Sequence, residues 1–125
     1  MEGELLFGEL THRVIGAAME VHRVLGGGFL EFVYEEALSY ELEVLGVPFE
    51  RQKDLDIRYK DLIIPRKYRA DLVVEDKILI ENKSAGAITS VDEAQLIHYL
   101  RATGFHVGLI LNFGKSSLEW KGRIL

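Results

Sequence analysis

Asp71, Glu81 and Lys83 have the residue types and the spacing of a hydrolytic site. The stretch Tyr68-Arg69-Ala70-Asp71-Leu72-Val73-Val74 is followed by Glu75-Asp76-Lys77 and then by Ile78-Leu79-Ile80-Glu81-Asn82-Lys83. Two apolar, β-branched runs around a short polar turn predict a β-hairpin. Glu81 and Lys83 are two residues apart, so a strand projects both from one face. With a three-residue turn, Glu75 to Lys77, Val74 pairs with Ile78 and Asp71 falls opposite Glu81. Directly opposed residues share a face, with Cβ atoms about 4.5–5.5 Å apart. Two carboxylates that close repel unless a cation lies between them, and oxygen-only ligands suit Mg²⁺ or Mn²⁺. Lys83 adds a positive charge where a water or a phosphate oxygen would sit. That chemistry is phosphodiester hydrolysis. A two-residue turn at Glu75-Asp76 would instead set Asp71 opposite Ile80 and turn it to the other face, since a one-residue slip inverts every side chain. The bland alternative is a solvated hairpin whose charges face water.

Charge is unevenly spread along the chain. The total is −5, which by itself argues against a nucleic-acid partner. Residues 1–50 hold ten acids and two bases, whereas residues 51–69 hold seven bases and three acids. The basic segment, with Arg66, Lys67 and Arg69 at its end, runs directly into Asp71. A local basic stripe is what phosphate binding requires, whatever the total. Charges that blunt an exposed sheet edge against aggregation would give the same pattern.

The elements that must position these residues follow from periodicity. Leu10, Val14, Ala17, Ala18, Val21 and Leu25 recur at helical spacing, and Gly26-Gly27-Gly28 stops that helix. A second helix spans about Leu30 to Leu45, closed by Gly46 and Pro48. Phe49 to Tyr59 and Leu62 to Ile64 read as strands around a Lys60-Asp61 turn, with Pro65 marking an edge or a break. The Tyr68–Lys83 hairpin comes next. Ser90-Val91-Asp92-Glu93 has the form of a capping box and opens a helix to about Thr103, ended by Gly104. His106 to Phe113 reads as a buried strand and Ser117 to Ile124 as a closing one. The Glu81 strand, the Ser90 helix and the His106 strand form a βαβ unit, whose strands should be parallel. The expected fold is α/β (α+β), a mixed sheet flanked by helices in the order α-α-β-β-β-β-α-β-β.

Composition excludes several classes. The chain of 125 residues, 48% hydrophobic and 28% charged, is that of one ordinary globular domain over residues 1–125. No apolar run approaches the roughly 18 residues of a membrane span, so no membrane partner is expected. Met1-Glu2-Gly3-Glu4 is acidic, which predicts no signal peptide. Zero cysteines exclude disulfides and thiolate metal sites and fit a reducing cytoplasm. The histidines His12, His22, His98 and His106 lack the i, i+4 spacing of a zinc helix, and no G-x-S-x-G elbow is present. Gly26-Gly27-Gly28 follows a helix and lacks a Gly-Lys-Ser/Thr ending, so it reads as a turn rather than a phosphate loop.

The order of helix, antiparallel strands carrying D and ExK, helix and strand resembles the PD-(D/E)XK nuclease superfamily. Gly28-Phe29-Leu30-Glu31-Phe32-Val33-Tyr34 resembles the G-x-x-E-x-x-Y signature of a small prokaryotic family within it, the GxxExxY proteins. Ile15-Gly16-Ala17-Ala18-Met19-Glu20-Val21-His22, and Glu93-Ala94-Gln95-Leu96 with Tyr99, are similar to that family too. The likeness runs from about Leu10 to Phe113. It implies that Asp71 and Glu81 ligate a divalent metal, Mg²⁺ or Mn²⁺, with the backbone carbonyl of Asn82 as a further ligand. It also implies that Lys83 orients the nucleophilic water, that Glu31 on the early helix completes the site, and that Gln95 contributes from the later helix. Ala70 stands where the superfamily name has proline.

Beside the resemblance, Glu31 and Tyr34 share a helix face, as do Gln95 and Tyr99. Tyr34 and Tyr99 equally suit core packing with a hydrogen-bonded hydroxyl. Three functions stay open on the residues: a metal-dependent nuclease acting on DNA or RNA, a nucleic-acid-binding module without turnover, and a protein-interaction domain using the acidic helices at Glu35, Glu36, Glu41 and Glu43.

Overall fold

A computed structural model describes residues 8–125. The acidic stretch Met1–Glu4, read above as not being a signal peptide, lies outside the described residues. Among the described residues three helices and five strands follow in the order α1 (Gly8–Leu25), α2 (Glu31–Val44), β1 (Phe49–Tyr59), β2 (Leu62–Val74), β3 (Ile78–Lys83), α3 (Ser90–Thr103), β4 (Val107–Asn112) and β5 (Glu119–Ile124). The strands form one mixed sheet in the order β1-β2-β3-β4-β5. β3 and β4 are parallel, as the βαβ reading requires, and the other neighbours are antiparallel. Among the described residues no helix is long and apolar enough to cross a membrane.

Helices cover both faces. Val14, Ala17, Ala18 and Val21 of α1 and Tyr34, Leu38 and Leu42 of α2 pack on Leu72, Val74, Ile78, Ile80, Val107, Leu109 and Leu111. Leu96 and Leu100 of α3 pack on Val73, Leu79 and Ile110 from the other side. β3 and β4, sandwiched between these layers, are therefore apolar almost without alternation, as strands buried on both faces must be. Each fully buried leucine contributes about 1.5–3 kcal/mol, so the middle of the sheet is the rigid part of the molecule.

Two details differ from the sequence reading. The segments Leu62–Ile64 and Tyr68–Val74 are one strand, so three strands, not four, precede α3. Pro65 does not break it, because it sits where the register with β1 shifts between Leu55 and Ile57. A bulge there needs no donor from residue 65, and the neighbouring Arg66, at φ 54°, gives its N–H to Asp56 Oδ1 at 3.1 Å. The second difference is the α3 cap. Thr89, not Ser90, is the N-cap, and its hydroxyl accepts from Asp92 N at 3.1 Å while Asp92 Oδ2 accepts from Thr89 N at 2.9 Å. Gly104 ends the helix in the left-handed region, as read.

The glycine run after α1 is a turn. Tyr34, fully buried and stacked on Phe113 with ring centroids 4.6 Å apart, donates its hydroxyl to Gly26 O at 2.6 Å and accepts from Phe29 N at 3.2 Å. His22 is likewise satisfied, with Nε2 2.8 Å from Lys115 O.

Candidate active site

The β2–β3 turn has three residues. Val74 pairs with Ile78, Val73 with Leu79 and Leu72 with Ile80. Glu75 and Asp76 take up the reversal with φ of 51° and 56°. Continued by one step, that register sets Asp71 against Glu81, but the ladder stops at Leu72–Ile80. Asn82 N–H instead donates to Asp71 Oδ2 at 2.8 Å.

The reason lies in a slip of the strand alternation. Tyr68, Ala70 and Val73 pack in the α3 layer, whereas Leu72 and Val74 pack in the α1/α2 layer. The faces therefore exchange at Asp71. Opposite it on β1, Gln52 has φ 47° and is missing from the register, which pairs Arg51 with Leu72 and Lys53 with Ala70 on either side of it. The two residues form one irregular point at which β2 parts from β3. Asp71 is consequently turned toward the main chain of β3 rather than standing upright beside Glu81. Sequence parity, which assumes an unbroken pleat, could not show this.

Glu81 and Lys83 do share a face, that of α3. Tyr68 donates its hydroxyl to Glu81 Oε1. The Tyr68 ring stacks on Tyr99 of α3 at 3.7 Å between centroids, and Gln95 Nε2 donates to Tyr99 Oη at 3.0 Å. Gln95 thus reaches Glu81 through two tyrosines rather than directly. Lys83 Nζ lies 3.3 Å from Asp92 Oδ1 at the start of α3. Asn82 points its side chain the other way, into the α1/α2 layer, where both of its side-chain polar atoms are buried without a hydrogen-bond partner, as is Ser39 Oγ.

Glu31 is the first residue of α2 and is exposed. The signature segment folds on itself through Tyr34 and is fastened to the end of β3 by Ser84 Oγ, which donates to Phe29 O at 2.8 Å. That fastening brings Glu31 within electrostatic range of Glu81. Burial pushes the Glu81 carboxyl up to about 7, Lys83 opposes the rise, and Glu31 adds to it. Burial also raises Asp71, and Glu35 adds to that rise, against the Asn82 N–H, the Gln52 side chain and Lys83. Lys83 is the cation common to both acids.

Glu35 was read above as part of an acidic interaction face. It is instead buried, accepting from Gln52 Nε2 at 2.7 Å and Arg51 Nε at 3.0 Å. Its spacing of four from Glu31, which sets both on one helix face, was the available signal. Tyr68, Gln52 and Asp92 also touch the site; Asp92 was read only as part of the α3 cap, and nothing in the local sequence marks the other two.

The donor set suits a hard cation. Asp71 and Glu81 are half-buried carboxylates raised by burial and by neighbouring acids, which is the electrostatic condition a divalent ion relieves. Among the described residues no group of three or more His, Asp or Glu side chains is close enough to hold an ion. Two carboxylates, a main-chain carbonyl and several waters is the arrangement Mg²⁺ tolerates best.

Of the three basic residues before the site, Arg69 is held by Asp54, at 2.8 Å and 3.3 Å. Arg66 and Lys67 are exposed and make no ion pair among the described residues.

Comparison with known proteins bears on the family and the fold. Residues 8–123 match the family model described as the PD-(D/E)XK nuclease superfamily. No curated protein matches the chain. Among solved structures, the crystal structure of SSO0001 is similar in fold, with a TM-score of 0.54 at 18% identity. The match covers 75% of this chain and 50% of SSO0001, so the chain spans about half that protein's length.

Proposed function

The chain belongs to the PD-(D/E)XK nuclease superfamily, and on that premise we propose that residues 1–125 form one nuclease domain of the GxxExxY type, which hydrolyses phosphodiester bonds of nucleic acid with Mg²⁺ or Mn²⁺. The observation that supports this most is that Lys83, close to where β2 leaves β3, acts electrostatically on both Asp71 and Glu81. Asp71 and Glu81, with the Asn82 carbonyl, would hold the ion, and Glu31, within electrostatic range of Glu81, would complete the site through a water. The ion would supply Lewis acidity toward a phosphoryl oxygen and lower the pKa of a bound water.

The chain's own residues carry the rest. Lys83, tethered by Asp92, presents its ammonium beside both carboxylates, where negative charge grows on a transferring phosphoryl group. Tyr68 fixes the Glu81 carboxylate by its hydroxyl, and the stack on Tyr99 holds Tyr68, with Gln95 orienting the second ring. Arg66 and Lys67 are free to take phosphates on the approach. The absence of cysteine supports a reducing compartment, the cytoplasm.

Incubation of the protein with a mixed panel of DNA and RNA, with Mn²⁺ or Mg²⁺, tests this reading. Wild type should cut at least one substrate and Asp71→Ala none. Metal-dependent binding without cutting would favour a binding module, and neither binding nor cutting would favour a protein-interaction domain.

A further inference from the structure

The β1–β2 hairpin is longer than the sheet it belongs to. β3 pairs only with Leu72–Val74, so the part of β2 before Ala70 has β1 as its sole strand partner. The outer half, Ile57–Tyr59 against Leu62–Ile64, is a two-stranded ribbon beyond the bulge at Asp56 and Arg66.

Cations are sorted along this ribbon. Near the sheet each is compensated: Arg51 by Glu35 and Glu36, Lys53 by Glu50 and Asp76, Arg69 by Asp54. In the outer half Arg58 and Lys60, and at the bulge Arg66 and Lys67, are exposed and make no ion pair among the described residues. Lys60 lies over the Tyr59 ring at 5.4 Å, and Arg66 stands within electrostatic reach of Asp54, which Arg69 already holds. Two acids accompany them, Asp61 and Asp56, and Asp56 is engaged by Arg66 N–H. Beside these charges Tyr59 (57%), Leu62 (58%) and Ile63 (50%) are open to solvent.

Edge protection does not account for this surface. Charges that guard an edge need no segregation into paired and unpaired sets, and an exposed Leu-Ile pair on an edge invites the pairing that guarding prevents. A polyanion with grooves accounts for both features. The B-DNA major groove, about 12 Å wide, admits a two-stranded β-ribbon, whereas the A-form RNA major groove is too deep and narrow to be read. Single strands are held on successive aromatic platforms, and the outer ribbon offers one aromatic residue, Tyr59.

Resting on the nuclease reading, we propose that the outer half of the β1–β2 hairpin is a duplex-DNA-binding arm. Lys60, Arg66 and Lys67 take backbone phosphates, and Tyr59 and Leu62, paired across the two strands and so on one face, face the groove. Nine residue steps separate Leu62 from Asp71. At about 3.3 Å per residue the arm reaches at most ~30 Å from the site, or roughly nine base pairs at 3.4 Å each. The arm thereby selects duplex extending about one helical turn to one side of the scissile phosphate.

Fluorescence anisotropy without divalent metal, so that nothing is cut, tests this with duplex DNA of 8 and 24 base pairs, single-stranded DNA and duplex RNA. Wild type should bind the 24-base-pair DNA best. A Lys60→Ala, Arg66→Ala, Lys67→Ala triple variant should lose at least tenfold on that probe, with the slope of log affinity against log salt flattened by about 2–3 for three lost phosphate contacts. On the 8-base-pair duplex, which at about 27 Å spans Arg66 and Lys67 but ends short of Lys60, it should lose clearly less than on the long one. Arg69→Ala, whose charge Asp54 already offsets, should change either affinity less than twofold. Tyr59→Ala should weaken long-duplex binding with the slope unchanged. A triple variant equal to wild type on the long duplex, an equal loss on both lengths, or a preference for single-stranded DNA or duplex RNA overturns the arm and leaves the nuclease reading standing. Wild type that binds none of the four probes removes both.

Discussion

The main-chain N–H of Asn82 donates to the Asp71 side chain at 2.8 Å, so the acid that opens the site also closes the gap where β2 leaves β3. Asp71→Asn keeps an acceptor for that N–H and removes a charge that burial disfavours. Asp71→Ala removes the acceptor as well. In urea unfolding Asp71→Asn should equal or exceed wild type in stability, while Asp71→Ala should lose about 1–3 kcal/mol for the unsatisfied donor. Neither variant should keep a metal-dependent rise in melting temperature.

Glu81 should give stability an unusual pH dependence. Its carboxyl is raised in the fold from 4.5 to about 7, so the folded state binds the proton more tightly than the unfolded state does. The resulting stabilisation is full below about 4.5, declines as pH rises toward 7, and is gone above it. Glu81→Gln removes the effect. Without metal the variant should match wild type near pH 4 and exceed it at pH 8, by on the order of 3 kcal/mol for the full shift and less as solvent screens the half-buried group. With Mg²⁺ the order at pH 8 should reverse, because an ion that binds only the folded wild type stabilises it by mass action. A pH-independent difference between the two proteins would count against a carboxyl that titrates near 7.

Tyr68→Phe isolates the hydroxyl that donates to Glu81. A donor favours the charged carboxylate, so its loss should raise the Glu81 pKa further. The ring stays, and with it the stack on Tyr99, so thermal stability should change little. Metal binding followed by calorimetry should then require a higher pH than in wild type. An unchanged pH profile would show that the hydroxyl does not tune the carboxylate.

Asn112 secures the loop behind Lys83. It is fully buried at the end of β4, accepts from Ala85 N at 3.0 Å and Gly114 N at 3.1 Å, and donates to Ala85 O and Glu119 Oε1, each at 3.1 Å. Asn112→Ala leaves several buried polar groups unsatisfied. A loss of about 2–4 kcal/mol is expected in chemical denaturation. Faster hydrogen exchange at Ala85 should accompany it.

Much of this was legible in the residues. The apolar runs of β3 and β4, the glycine stops at Gly26, Gly46 and Gly104, and the three-residue turn at Glu75–Lys77 are local signals, and the structure repeats them. What escaped was non-local. Pro65 could mark an edge or a break, and only the bulge with β1, which removes the need for its missing N–H, decides against the break. Glu35 looked like a surface acid because its burial depends on Arg51 and Gln52, which come from another element. The turn of Asp71 depends on Gln52 across the sheet, and no spacing within β2 reveals a slip imposed from β1. The capping box was placed one residue late because Thr89 and Ser90 are chemically alike, and only the backbone distinguishes them.

Lys83 separates catalysis from binding. Its ammonium is shared between the two site acids and is tethered by Asp92 at 3.3 Å, so it is placed for a charge that appears only during reaction. Interactions realised only in the transition state act on turnover and leave ground-state affinity largely alone. Lys83→Ala should therefore retain nucleic-acid affinity within a fewfold of wild type while the single-turnover cleavage rate falls by about 10²–10³, the usual cost of one electrostatic donor at a reacting centre. Asp92→Asn should give a smaller loss of rate, since the ammonium remains but is less firmly held. Equal losses of affinity and rate in Lys83→Ala would make the lysine a phosphate contact rather than part of the reacting centre.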